Sequence, residues 1–166
     1  MTDKIPADTA PARLHQLLQK QTLPIPLPEA WRFFSSPLNL NLITPPDMRF
    51  RILTPFSAED RIYPGLIIRY TVSPLWLVPL RWQTLISEVE EPFFFVDEQQ
   101  VGPFRYWRHE HRFEAVGNHT EMTDRVQWSL YGGAVGRIIN QYIVEPRIRQ
   151  IFDFRRQKLQ TLFSHS

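Results

Sequence analysis

Residues 102–114, GPFRYWRHEHRFE, alternate two kinds of side chain with a period of two. From residue 107 onward, the even-numbered positions carry charged side chains, and the odd-numbered positions carry Trp107, His109, His111 and Phe113. Side chains on a β-strand point alternately to opposite faces. The pattern therefore predicts a strand with a charged face toward water and an aromatic, imidazole-bearing face toward the interior. Two inward histidines between aromatic rings favour a lined cavity as much as a closed core.

Several other segments are predicted to be extended. They are residues 14–26, 48–53, 65–72, 80–90, 93–100 and 121–131. Turn residues at 91–92, 102–103 and 117–118 separate the later ones, and such short links favour an antiparallel meander.

Helical patterns stand at two places in the chain. Residues 28–41 predict two short helices, because Pro37 interrupts the first. From residue 137 to 163 the apolar period changes to about 3.6, and we expect Pro146 to bend that helix. The helix must bury its apolar stripe on the sheet, a stripe expected to comprise Ile138, Tyr142, Ile148, Phe152, Leu159 and Phe163. The fold class is α+β.

Composition excludes several classes of function. At 166 residues we expect a flexible leader at 1–12 and a single domain over 13–166. There is no cysteine, which excludes disulfides and thiolate sites and suits a cytoplasmic location. A net charge of +2 is too small to indicate a nucleic-acid partner. No signal peptide is visible, and the most apolar run, residues 73–80, is too short to span a bilayer.

The inward faces of neighbouring strands predict a polar patch among aromatic rings. Its polar members are Asp97, Gln99, His109, His111 and Asp124, and its aromatic members are Phe95, Trp107, Phe113 and Trp128. Acid–base chemistry, hydrogen bonding to a ligand and a purely structural network all remain open. The two histidines and a carboxylate also resemble a facial set of metal ligands. However, no third histidine lies nearby, so we expect neither a metal nor a cofactor.

The apolar run at 73–80 contains Pro74 and Pro79 and is expected to form an exposed hairpin tip. Its Trp76 and Leu77 are candidates for a portal that touches a ligand, a partner or, transiently, a membrane. Alternatively, they fold back as a plug.

Motifs along most of the chain carry a family resemblance. They are FFSSPLNLNLITPP at 33–46, W-x-T-x-I at 82–86, F-V-D-E-Q at 95–99, G-P-F-x-x-W-x-H-x-H-x-F at 102–113, M-x-D-x-V at 122–126 and I-F-D-F-R at 151–155. With these motifs the chain resembles the SRPBCC superfamily of START domains, polyketide cyclases and birch-pollen-type allergens, and within it a bacterial branch of stand-alone, cell-division-inhibitor-like proteins. The resemblance implies a helix-grip fold, in which a curved antiparallel sheet wraps around a long C-terminal helix. It also implies a cavity for apolar or amphipathic small molecules.

The favoured hypothesis is a non-catalytic binder or carrier of a hydrophobic or amphipathic small molecule. Its cavity is expected to be lined by Trp82, Ile86, Phe95, Asp97, Gln99, Trp107, His109, His111, Phe113, Asp124, Trp128, Tyr142 and Phe152. One alternative is a cyclase/aromatase- or hydratase-type enzyme that uses His109 or His111 with Asp124. Another is a protein-interaction module that uses the Trp76 loop beside a vestigial cavity. The oligomeric state stays open.

Overall fold

Seven antiparallel strands form one sheet in the order β1-β7-β6-β5-β4-β3-β2. The structure is a computed structural model that describes residues 13–74 and 78–164. The strands are β1 (His15–Leu23), β2 (Arg51–Ile52), β3 (Ile67–Val72), β4 (Leu80–Glu90), β5 (Phe94–Val101), β6 (Tyr106–Val116) and β7 (His119–Ser129). The meander predicted from the short links is confirmed, and β1 closes the sheet against β7. The expected leader at 1–12 lies outside the described residues.

The helices flank the meander at both ends of the chain. They are α1 (Leu27–Phe34), 3₁₀-helices over Pro37–Ile43 and Pro46–Met48, and a C-terminal helix made of α2 (Gly133–Ile139), a π-helical segment (Asn140–Val144) and α3 (Glu145–Phe163). Two short helices after the first strand, a curved sheet and a long terminal helix make up the expected helix-grip arrangement. Within the described residues, no helix is long and apolar enough to cross a membrane.

The strand expected over residues 48–53 is wrong in extent, because the ladder with β3 comprises only Arg51 and Ile52. Leu53 adds one backbone hydrogen bond to Arg69 of β3. Pro45 and Pro46 precede it, and proline lacks the N–H that a ladder needs. A 3₁₀-turn follows, and Arg49 then adopts a left-handed conformation with φ of 47°. These features together delay strand pairing until Arg51.

The stripe expected along the C-terminal helix is wrong in its first turns. Tyr142 is 71% exposed and Ile138 is 60% exposed. The π-helical segment begins just after Ile139 and ends where α3 begins. One extra residue in a helical turn rotates the residues before it by about 100° relative to the residues after it, so a stripe drawn at a constant period loses phase there. Beyond the segment the expected positions are buried, namely Ile148, Phe152, Leu159 and Phe163.

Candidate functional site

A pocket of about 270 Å³ lies between the sheet and the C-terminal helix. The helix contributes Ile148, Ile151 and Phe152, and the sheet contributes strands β3 to β6. Residues of the 3₁₀-helix over Pro37–Ile43 also border it. The walls are mainly apolar, because the sheet, the C-terminal helix and the 3₁₀-helix all direct aliphatic and aromatic side chains into the same space.

Eight of the thirteen residues expected at the cavity border this pocket. They are Trp82, Ile86, Phe95, Asp97, Trp107, His109, His111 and Phe152. All but Phe152 stand on β4, β5 or β6, and each takes the inward face that the period-two alternation assigns to it.

The other five have different surroundings. The Gln99 side chain hydrogen-bonds the backbone of Phe104 through both its amide nitrogen and its oxygen. Phe113 packs against aromatic rings of α1. Trp128 stacks on His15 and donates its indole N–H to Asn140. Asp124 is buried behind the two histidines, and Tyr142 is exposed. None of these five residues borders the pocket.

The sequence patterns did not identify several polar residues of the pocket wall, among them Tyr70, Thr84 and Arg155. The Tyr70 hydroxyl lies 3.1 Å from Thr84 Oγ1, and burial raises the pKa of Tyr70 above its ordinary value. Arg155 also borders the pocket. It stands three residues after Phe152 and four before Leu159, so its place on the buried face was readable from the helical period.

Two histidines and two aspartates form a closed cluster across three strands, hereafter the His–Asp cluster. In register, Asp97 of β5 faces His109 of β6, and His111 faces Asp124 of β7. His109 Nε2 lies 2.9 Å from Asp124 Oδ1, and His109 Nδ1 lies 3.3 Å from Asp97 Oδ2. His111 Nε2 lies 3.0 Å from the same Asp97 oxygen. Its Nδ1 is 2.9 Å from Asp124 Oδ1 but lacks hydrogen-bond geometry.

The electrostatics of the His–Asp cluster favour charged groups despite their burial. Burial raises the pKa of Asp97 and Asp124, but the charges and hydrogen bonds of the two imidazoles outweigh it, so both pKa values lie well below the ordinary range. Burial lowers the pKa of His109, yet the Asp97 charge and the bonds to both carboxylates raise it on balance. The position of His109 between two carboxylates therefore favours its imidazolium form.

This geometry bears on the two chemical alternatives. A general base needs a free ring nitrogen that can reach a substrate proton, and both nitrogens of His109 already face carboxylates. Ligand atoms of Asp97, His109 and His111 lie within 4.8 Å of one another, which is close enough for one cation. A cation there would have to displace the imidazole protons that now bridge to the aspartates, so it would compete with the hydrogen bonds described.

The expected portal at Trp76 and Leu77 lies outside the described residues. The chain on either side can be placed, however, because Pro74 and Leu80 both border the pocket.

Comparisons with known proteins identify the fold. No family model matches the sequence, and no curated protein matches it significantly. Solved structures do match. Protein Ms6760 from Mycobacterium smegmatis is 16% identical, with a TM-score of 0.64 over 90% of this chain and 91% of that one. A norcoclaurine synthase point mutant from Thalictrum, in complex with a transition-state analogue, is 11% identical, with a TM-score of 0.62 over 92% and 98%. The Zhui aromatase/cyclase from Streptomyces is 12% identical, with a TM-score of 0.65 over 90% and 96%. The resemblance read from the sequence motifs is thus confirmed at the level of the fold.

Proposed function

We propose that this protein binds an apolar or amphipathic small molecule in the pocket between the sheet and the C-terminal helix. The observation that carries the proposal is the pocket itself, about 270 Å³ in volume and walled mainly by apolar side chains. Small-molecule sites are typically concave and apolar, with a few polar groups that orient the ligand. Here those groups are the Tyr70–Thr84 pair, Arg155 and the pocket-facing part of the His–Asp cluster.

The physical advantage of such binding is burial of apolar surface on both partners. Each Å² of apolar surface removed from water contributes roughly 25 cal/mol. Rings such as Phe95, Trp82 and Trp107 present large surfaces with little rotameric freedom to lose. A ligand with a flat or flexible hydrocarbon body therefore suits these walls.

Binding is favoured over catalysis by the state of the His–Asp cluster. Asp97 shares one oxygen between two imidazoles, and Asp124 does the same on the far side. His109 therefore has no free nitrogen for proton transfer. The Nδ1 of His111 has no hydrogen-bond partner, and it lies 2.9 Å from Asp124 Oδ1.

The proposal is tested by filling the pocket. A neutral fluorescent ring compound, 1-aminoanthracene, is titrated into the purified protein and into Ile151→Trp, which adds an indole to the pocket wall. We expect saturable binding to the wild type and at least a ten-fold loss in the variant, since the added ring takes the probe's space. Ile138→Trp is the matched control, because Ile138 is exposed on the same terminal helix. Absence of saturable binding, or an equal loss in both variants, would overturn the proposal.

A further inference from the structure

Arg155 is a buried cation with no anionic partner among the described residues. Only 8% of its surface is exposed, and it borders the pocket. No carboxylate of the described chain lies within 4.0 Å of its guanidinium, and its Nε is buried without a hydrogen-bond partner. The guanidinium instead lies over the face of the Phe152 ring, 4.9 Å from Cζ to the ring centre.

Two other arginines with little exposure have acidic partners. Arg147, whose side chain is 15% exposed, bonds Asp47, Gln150 and the carbonyl of Pro74. Arg108, at 22%, pairs with Glu88 and Glu110. Arg155 is more buried than either and has no such acceptor within the described residues. Removing a charge from water without a partner is costly, so the position calls for an explanation.

The pocket wall holds a second buried hydrogen-bond donor without a partner. The indole Nε1 of Trp82 is buried and has no hydrogen-bond partner. Indole and guanidinium nitrogens only donate hydrogen bonds. A ligand that satisfies either group must therefore offer acceptor atoms, and a group that also balances the charge of Arg155 must be an anion.

We propose that the ligand of this pocket is an amphipathic carboxylic acid whose carboxylate pairs with Arg155 while its apolar body occupies the space beneath Ile148 and Ile151. The inference rests on the proposed function and specifies its ligand class. A planar guanidinium fork matches the two oxygens of a carboxylate. The Phe152 ring holds the guanidinium in place through cation–π contact.

The competing explanation is structural, with Arg155 balancing the charge of the His–Asp cluster through space. Arg155→Met keeps much of the aliphatic length and removes the charge. Under our proposal the ligand-free variant unfolds at the same or a higher temperature than the wild type, because an unpaired buried charge has been removed. Arg156→Met is the matched control, since Arg156 pairs with Asp153 at the surface. A lower unfolding temperature in Arg155→Met that Arg155→Lys restores would assign the residue to structure and overturn the proposal.

The decisive experiment compares two probes that differ only in the head group. Decanoate and decan-1-ol each displace 1-aminoanthracene from the wild type, Arg155→Met, Arg155→Lys and Arg156→Met, at about pH 8, where the acid is ionised. We expect the wild type to prefer decanoate by about ten-fold or more. Arg155→Met should lose that preference, through a loss of decanoate affinity larger than any change for the alcohol, and Arg156→Met should match the wild type. Arg155→Lys should keep part of the preference.

The outcomes separate this inference from the proposed function. Equal displacement by acid and alcohol in the wild type, or an undiminished preference in Arg155→Met, would overturn the carboxylate inference and leave the binding pocket standing. If 1-aminoanthracene binds but neither decyl compound displaces it, the ligand class is wrong. If the probe itself does not bind, the proposed function fails, and the inference fails with it.

Discussion

His109 occupies the centre of the polar part of the sheet's inner face. It is almost fully buried, and its two nitrogens face Asp97 of β5 and Asp124 of β7. A buried charge is tolerable only where paired groups compensate it. The His–Asp cluster therefore ties three adjacent strands together by side chains as well as by the backbone ladder, and it sets a polar boundary to an otherwise apolar pocket.

Replacing Asp124 with asparagine should mainly lower stability. The amide carries no charge to match the imidazolium of His109, so a buried donor loses its ionic acceptor at a cost of about 1–3 kcal/mol. Urea unfolding measures the change, with Asp153→Asn as the exposed control. An unchanged unfolding free energy in Asp124→Asn would contradict the structural importance of the pair.

Stability should also depend on pH through the His–Asp cluster. Folding raises the pKa of His109 above its ordinary 6.5. The contribution of His109 to the free energy of unfolding is therefore complete below pH 6.5, and it is lost as the pH rises through the pKa of the folded state. Folding lowers the pKa values of Asp97 and Asp124 below 3.8. The contribution of the two aspartates to the free energy of unfolding is complete above pH 3.8, and it is lost as the pH falls through their folded-state pKa values. We therefore expect the unfolding temperature to peak between about pH 4 and pH 6.5.

The matched variant for that pH profile is His109→Gln. It should be less stable than the wild type at about pH 5, and its unfolding temperature should decline less above pH 6.5, because the titrating imidazole is gone. A decline as steep as that of the wild type would place the pH dependence elsewhere in the chain.

At the scale of elements, the C-terminal helix is divided by its π-helical segment. Asn140–Val144 immediately precedes the turn that contains Pro146. Proline cannot donate to the carbonyl four residues earlier, and its ring clashes with that carbonyl in a regular α-helix. A wider turn relieves the clash and positions Val144, Arg147 and Ile148 at the pocket.

Replacing Pro146 with alanine should alter the pocket more than the stability. An N–H at this position allows the helix to become regular, which would rotate α2 relative to α3. We expect a several-fold change in 1-aminoanthracene affinity with an unfolding temperature within a few degrees of the wild type. Pro64→Ala, in the loop before β3 and outside the pocket wall, is the control. Unchanged affinity in Pro146→Ala would show that this irregularity does not shape the site.

The sequence predicted those elements whose signal is local. The alternation through β6 identified His109 and His111 as neighbours on the inner face, because a strand's period requires no knowledge of its partners. The π-helical segment leaves no comparable mark on composition. The predicted apolar stripe therefore included Tyr142, whose side chain is exposed. Likewise, the unpaired state of Arg155 depends on which acceptors the whole fold places near it, and no local pattern reports that.

For the whole molecule, one side chain joins the parts that surround the pocket. Arg147 of α3 donates to the carbonyl of Pro74, which follows β3, and to the carboxylate of Asp47 in the second 3₁₀-helix. All three elements are distant in sequence, and Arg147 and Pro74 border the pocket directly. A ligand that enters between the helix and this end of the sheet must pass these bonds.

Arg147→Ala should therefore change the rate of ligand exchange more than the affinity. Without the bonds to Pro74 and Asp47 the helix and the β3 end separate more easily, so both association and dissociation of 1-aminoanthracene should be faster by several-fold, leaving Kd within about two-fold of the wild type. Stopped-flow fluorescence measures both rates. Arg149→Ala is the matched control, because Arg149 is exposed and its ion-pair partner among the described residues is Glu145 of the same helix. Unchanged rates in Arg147→Ala would direct the search for the entry path to another side of the pocket, whereas a large loss of affinity would show that Arg147 holds the ligand rather than the rim.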